Sequence, residues 1–161
     1  MKIKDIMTPN PKACSPTSTL ADVAHYMWDY DCGIVPVVFE GGKVVGLITD
    51  RDICMAAAMK GQNLGNIAVE DVISGQVFSC KTEDDVQKAL ELMRDKKVRR
   101  LPVIDEDGML IGMLSMNDIV LKAGEVKNGK KFEIAYGDVV KAYKSICEPR
   151  SSQSQVLTAG A

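Results

Sequence analysis

The chain carries a single histidine and a single tryptophan, and aromatic residues make up only 5% of it. One histidine and no paired thiols leave a structural zinc site without its usual donors. No apolar run approaches the roughly 20 residues that a bilayer-spanning helix requires. The opening Met1-Lys2-Ile3-Lys4-Asp5 lacks the apolar core of a secretion signal. Net charge is −2, and Lys and Arg form no extended basic stripe, so neither nucleic acid nor an anionic membrane is the expected partner. The five cysteines (Cys14, Cys32, Cys54, Cys80, Cys147) are odd in number and widely spaced. They read as small buried hydrophobes in a reducing cytoplasm. His25 stands with no serine or cysteine arranged for nucleophilic work, and a surface position is expected for it.

What the chain does have is an internal repeat. Gly46-Leu47-Ile48-Thr49-Asp50-Arg51-Asp52-Ile53 returns as Gly112-Met113-Leu114-Ser115-Met116-Asn117-Asp118-Ile119. The offset (46 to 112, 52 to 118) extends well beyond the octamer. Asp5 matches Asp71, Thr8 matches Ser74, Cys14 matches Cys80, Leu20 matches Val86, Met27 matches Met93, Pro36-Val37 matches Pro102-Val103 and Gly42 matches Gly108. Two homologous units of about sixty residues follow in tandem. A hydrophobic fraction of 46% and a charged fraction of 26% suit an ordinary globular protein.

Each unit reads in the order β-α-β-β-α. In the first, residues 3–8 form a short helical turn and 12–15 an extended piece. Pro16 to Thr19 caps a helix through Leu20, Val23, Ala24 and Met27. Ile34 to Phe39 and Val44 to Ile48 form strands around Glu40-Gly41-Gly42-Lys43, and a helix covers Asp50 to Met59. Gly61 to Gly65 join the units. In the second, Val69 to Ser74 turn, Phe78 to Cys80 extend, and Thr82 caps a helix through Val86, Ala89, Leu90 and Met93. Leu101 to Ile104 and Met109 to Leu114 then form strands, and a helix starts after Ser115. Neither unit buries enough apolar surface alone, so an α+β fold with the two repeats packed sheet to sheet about a pseudo-twofold axis is expected. The boundaries are 1–62, 63–124, a C-terminal loop and helix over 125–150, and a disordered tail over 151–161. In the C-terminal stretch Lys127 to Lys131 is a polar loop, and Val139, Val140, Tyr143 and Ile146 suggest an amphipathic helix.

The repeated motif admits two readings. Thr49-x-x-Asp52 and Ser115-x-x-Asp118 each resemble a capping box, and a lone copy would be a cap and nothing more. In both copies, however, a strand end delivers a hydroxyl and a carboxylate to a helix N-terminus, where free N–H groups favour an anion. A carboxylate there can also accept hydrogen bonds from a ribose diol.

These residues resemble a tandem pair of cystathionine-β-synthase-type (CBS) domains, a Bateman module. The similarity rests on Asp5-Ile6-Met7-Thr8, Val35-Pro36-Val37-Val38, the octamer at 46–53, Leu101-Pro102-Val103-Ile104-Asp105 and the octamer at 112–119, over residues 1–124. Nothing else in the chain resembles an enzyme, channel or transporter, so a stand-alone module is expected. The resemblance implies a regulatory, non-catalytic module that binds an adenosyl ligand (AMP, ADP, ATP or NAD) in clefts between its repeats and passes a conformational change to a partner. It also implies a homodimer, commonly a flat disc of four repeats.

Carried over residue by residue, Asp52 and Asp118 grip the ribose. Thr49, Ser115, Arg51 and Asn117 contact ribose or phosphate, and Arg99 and Arg100 match a basic position that meets phosphate. From strand alternation only one of that pair need reach a cleft. Repeat one has Gly33-Ile34 at that position but Arg51 opposite Asn117, so each cleft is expected to keep one phosphate partner, placed differently. Lys12, Cys32, Phe78 and Val98 would wall the purine, with Phe78 stacking or serving the core. Tyr26, Trp28 and Tyr30 fit either a dimer surface or the core. Met55, Met59, Met113 and Met116 read as core or interface filler. From the residues alone a ligand-free dimerisation scaffold, its aspartates only capping helices, stays open. An enzyme lacks a second catalytic group at useful spacing.

Overall fold

The computed structural model describes residues 1–73, 76–125 and 132–149. Ser74, the polar loop expected over 127–131 and the tail expected over 151–161 lie outside the described residues. The first strand lies at Thr8–Pro9, at the end of the expected helical turn, while of the extended piece expected over 12–15 only Cys14 pairs, bridging Val37. The described residues hold six strands and five α-helices. They are β1 (Thr8–Pro9), α1 (Leu20–Asp29), β2 (Ile34–Val38), β3 (Val44–Thr49), α2 (Asp50–Lys60), β4 (Cys80–Lys81), α3 (Val86–Lys96), β5 (Arg100–Ile104), β6 (Leu110–Ser115), α4 (Met116–Lys122) and α5 (Tyr136–Cys147).

β2 and β3 form one hairpin sheet. The other sheet has the order β1-β6-β5-β4, antiparallel except for β4 beside β5. Both hairpins carry a register shift at the same repeat position, Val37/Val38 and Val103/Ile104. The pseudo-twofold axis is written into the hydrogen bonds. Lys43 bridges Met109, its own repeat mate. Around that bridge Val44 N–H donates to Gly108 O at 3.1 Å and Leu110 N–H to Gly42 O at 3.1 Å.

Each repeat also lends its opening segment to the other. Ile3 N–H donates to Asp84 O (3.1 Å), and its mate Val69 N–H donates to Ser18 O (2.9 Å). Accordingly Ile3 is buried in the core of Val86, Leu90, Met93, Leu101 and Leu114, whereas Ile67 and Val69 are buried with Leu20, Val23, Val35 and Ile48. The exchange places both strand-to-helix junctions against the neighbouring repeat.

Several local expectations change in space. The N-cap of α3 is Asp85, not Thr82: Asp85 Oδ1 accepts from Gln87 N–H at 2.8 Å. Asp85 is the mate of Thr19, which caps α1 through Asp22 N–H, so the repeat offset located this cap better than residue preference did. Of the cysteines only Cys14 and Cys80 are buried, and Cys54 on α2 and Cys147 at the C-terminal end of α5 are exposed. His25 is exposed. Tyr26, Trp28 and Tyr30 stay out of the core, at 39%, 88% and 53% exposure. Met116 is core, but Met55 and Met59 face outward. Helix α5 lies on α3 and α4 with Val139 and Ala142 inward, and Val140 points away.

Candidate functional site

The two motifs adopt the same geometry. Thr49 caps α2: its Oγ1 accepts from Asp52 N–H (3.2 Å) and donates to Asp52 Oδ2 (2.7 Å), while Thr49 N–H also donates to Oδ2 (2.9 Å). Ser115 caps α4 in the same way, with Ser115 N–H and Oγ–H reaching Asp118 Oδ2 at 2.7 and 2.6 Å. In each aspartate the cap occupies Oδ2 alone, and among the described residues Oδ1 has no donor. Capping and ligand binding are therefore compatible. The box fixes one carboxylate oxygen and leaves the other to accept from a ligand hydroxyl. Both aspartates are only half-buried.

A cleft of about 390 Å³ opens beside Asp118, within the range of small-molecule sites. Repeat two supplies Arg100, Met113, Ser115 and Asp118. Repeat one supplies Thr8, Asn10, Pro11, Lys12, Tyr30, Cys32, Ile34 and Pro36. The pseudo-equivalent cleft, about 530 Å³, is lined by Leu47, Gln76, Phe78, Asp95, Lys96, Val98 and Arg100. Apart from Asp95, these residues are the repeat mates of Met113, Asn10, Lys12, Tyr30, Cys32 and Ile34, and Arg100, the mate of Ile34, borders both clefts. Asp52 lines a different recess, of about 660 Å³, with Arg51, Lys97, Arg99, Tyr143, Ile146 and Cys147.

The structure thus gathers Lys12, Cys32, Arg100, Ser115 and Asp118 in one cleft, and Phe78, Val98 and Arg100 in the other. Arg51, Asp52 and Arg99 meet in the recess. Thr49 acts through Asp52 and lines none of these cavities, and Asn117 is exposed outside them. Each aspartate keeps an arginine nearby, Arg100 in the Asp118 cleft and two arginines at Asp52. Arg51 and Arg99 come together at Asp52, because each aspartate faces the opposite repeat. The repeat mates of Lys97 and Arg99 are Asp31 and Gly33, and neither lines the Asp118 cleft.

Tyr30 is the site residue that sequence reasoning assigned elsewhere. Lys12 Nζ lies 5.3 Å from the Tyr30 ring centroid, and Lys96 Nζ lies 5.1 Å from that of Phe78. Lys12 pairs with Phe78 in the repeat and Tyr30 with Lys96. Each cleft therefore keeps one cation–aromatic pair, with the roles exchanged between the extended piece and the helix end. The 66-residue offset held that signal, since both pairs swap a lysine for an aromatic. Thr8, Pro36 and Met113, which lie within the repeated motifs, and Asn10, Pro11 and Ile34, which lie outside them, also line the Asp118 cleft.

Among the described residues no three His, Cys, Asp or Glu side chains cluster as metal ligands, and no helix is long and apolar enough to cross a membrane.

The CBS-domain family model matches twice, over residues 3–58 and 69–124, two stretches that hold both motifs and together cover more than half of the chain. The chain belongs to the CBS-domain family. A CBS domain-containing protein of Bacillus subtilis, YhcV, is 32% identical over 74% of this chain and 83% of its own length. Hypoxic response protein 1 of Mycobacterium tuberculosis is 26% identical over 94% of this chain and 97% of its own. Other CBS relatives are longer: this chain spans 54% of an uncharacterised Methanopyrus kandleri protein at 36% identity, and 22% of a Methanocaldococcus jannaschii inosine-5'-monophosphate dehydrogenase. Among solved structures, CBSX2 in complex with AMP superposes with a TM-score of 0.66 at 26% identity, covering 74% of this chain and 93% of that one. A CBS domain pair solved with 5-methylthioadenosine and S-adenosyl-L-methionine gives a TM-score of 0.69 over 75% and 94%, and at 23% identity it supports the fold.

Proposed function

We propose that this CBS pair is a non-catalytic regulatory sensor of an adenosine-containing ligand, of the class of AMP, ADP, ATP or NAD. The observation that carries the reading is the free Oδ1 of Asp118 beside a 390 Å³ inter-repeat cleft, held in place by the Ser115 cap. A ribose diol donates to that oxygen. The adenine lies between the Lys12–Tyr30 pair, Cys32 and Ile34, and Arg100 meets the phosphate. Asp52 plays the same part toward its recess. The AMP complex of CBSX2 supports the ligand class. Because both clefts are built from both repeats, a ligand changes their relative packing through its differential affinity for the two arrangements, and a partner protein reads that change.

Nucleotide at 100 times its Kd should stabilise the protein by about 2.7 kcal/mol, a shift of several degrees in melting temperature. A protein that melts identically with and without millimolar AMP, ATP and NAD is not this sensor.

A scaffold role is favoured by one separate observation. Ala24, Met27, Trp28, Asp50 and Ile53 line an open, largely apolar groove on repeat one, and the equivalent surface of repeat two, through Leu90 and Arg94, lies under α5. The uncovered groove suits a homodimer contact. Sedimentation of the wild type and of Trp28→Glu checks it, with dissociation of a dimer expected in the variant.

A further inference from the structure

Helix α5 lies beyond both matched stretches, yet it forms one wall of the recess at Asp52. Its residues Tyr143, Ile146 and Cys147, spaced to share one helix face, stand across from Arg51, Lys97 and Arg99. That recess sets three cations beside the Asp52 carboxylate, and one of them, Lys97 Nζ, also lies 4.0 Å from Glu148 Oε2. The Asp118 cleft is lined by two cations, Lys12 and Arg100, and the repeat mates of Arg51, Lys97 and Arg99 are Asn117, Asp31 and Gly33, so none of the three recess cations recurs there. Lys97 sits in the left-handed region (φ 53°) at the end of α3, which turns its ammonium toward the C-terminal end of α5. There Lys97 Nζ donates to Glu148 O at 3.3 Å, and Ser145 Oγ donates to Arg94 O at 3.4 Å. These contacts hold α5 at the rim of the recess.

We infer that the recess between Asp52 and α5 takes the polyphosphate arm of a nucleoside di- or triphosphate, and that docking of α5 and binding of that arm reinforce each other. The inference rests on the nucleotide reading and adds to it both a ligand charge and a responding element. Guanidinium groups of Arg51 and Arg99 suit paired hydrogen bonds to phosphate oxygens, and Lys97 supplies a point charge. Tyr143, Ile146 and Cys147 keep bulk water from one side and strengthen those contacts. Because binding free energies are reciprocal, an arm that is held better with α5 in place must also hold α5. The Asp118 cleft takes the less charged ligand of the two.

The test uses the full chain, with adenosine, AMP and ATP measured by calorimetry, and hydrogen exchange followed across α5. ATP should bind the Asp52 side at least about tenfold more tightly than adenosine, a gain that falls with added salt. ATP should also slow amide exchange at 139–147, whereas adenosine should leave it unchanged. The double variant Arg51→Gln/Arg99→Gln, altered only at exposed side chains, should lose both the gain of ATP over adenosine and the protection of α5. Tyr143→Ala should lower ATP affinity without touching adenosine binding. Adenosine binding with no triphosphate gain, or a gain that leaves α5 exchange unmoved, overturns the inference and leaves the nucleotide reading standing. Failure of every adenosine compound to bind overturns both.

Discussion

Substituting Asp118 by alanine separates the two tasks that its carboxylate performs. Oδ2 accepts from Ser115 N–H and Oγ–H at 2.7 and 2.6 Å, and Oδ1 is left for the ligand. Removal of the side chain ends the capping box, which costs about 1 kcal/mol of stability, or about 2–4 °C in melting temperature for a chain of this size. It also removes a charged acceptor from the ribose, about 2 kcal/mol of binding free energy, or about 30-fold in Kd. A control is built into the same protein. Asp22 makes the same box at the start of α1, its Oδ2 accepting from Thr19 Oγ1–H at 2.7 Å and N–H at 3.2 Å, and it lines none of the clefts. Asp22→Ala should therefore lower the melting temperature and leave nucleotide affinity unchanged, whereas Asp118→Ala should lower both. Calorimetric titration with AMP, with melting followed in parallel, reads the two effects. An Asp118→Ala protein that melts lower but binds AMP as tightly as the wild type would show that the aspartate is a cap only.

Other outcomes follow from the same geometry. Asp52→Ala and Asp118→Ala act on separate cavities, so their effects on binding should appear as the loss of two independent sites, visible as halved stoichiometry in each single variant. A Cβ on Gly112 would lie 2.7 Å from Met7 Sδ and 3.0 Å from the backbone Thr8 O, whereas at Gly46 the tight contact is with the mobile end of Ile73. Gly112→Ala should thus cost about 1–3 kcal/mol and disturb the β1–β6 edge of the Asp118 cleft, with Gly46→Ala costing less in urea unfolding. Burial raises the thiol pKa of Cys14 to about 11 and of Cys80 to about 12. These thiols stay protonated in the fold while the unfolded chain ionises from about pH 9 upward, so stability should fall from pH 9 toward 11. Cys14→Ala/Cys80→Ala should flatten that part of the urea-midpoint profile. Asp22 is held below the usual carboxylate range, chiefly by the Thr19 hydroxyl. Its contribution is present above about pH 4 and lost as the pH falls, and Asp22→Asn should remove that acid-side loss in the same titration.

The secondary structure was legible because period and punctuation agree in both halves. Thr49 and Ser115 stop a strand and cap a helix, and Gly41-Gly42 and Asp107-Gly108 turn the hairpins, with Gly41, Gly42 and Gly108 at positive φ. The two aspartates were legible for the same reason, since a helix N-terminus concentrates donors whatever the fold around it. The 66-residue offset carried more than it was asked to: it also held the cap at Asp85 and the exchange of Lys12–Tyr30 for Phe78–Lys96.

Sequence by itself determined the elements, their duplication, the family resemblance and which carboxylates lie at helix starts, because each depends on residues close together in the chain. Only the tertiary structure decided how these pieces face one another. The swap of Ile3 and Val69 between the two cores, the meeting of Arg51 with Arg99 across the repeats, and the seating of α5 at Asp52 all join residues far apart in sequence. No local pattern encodes those contacts. They follow from burying two incomplete apolar faces against each other about a twofold axis.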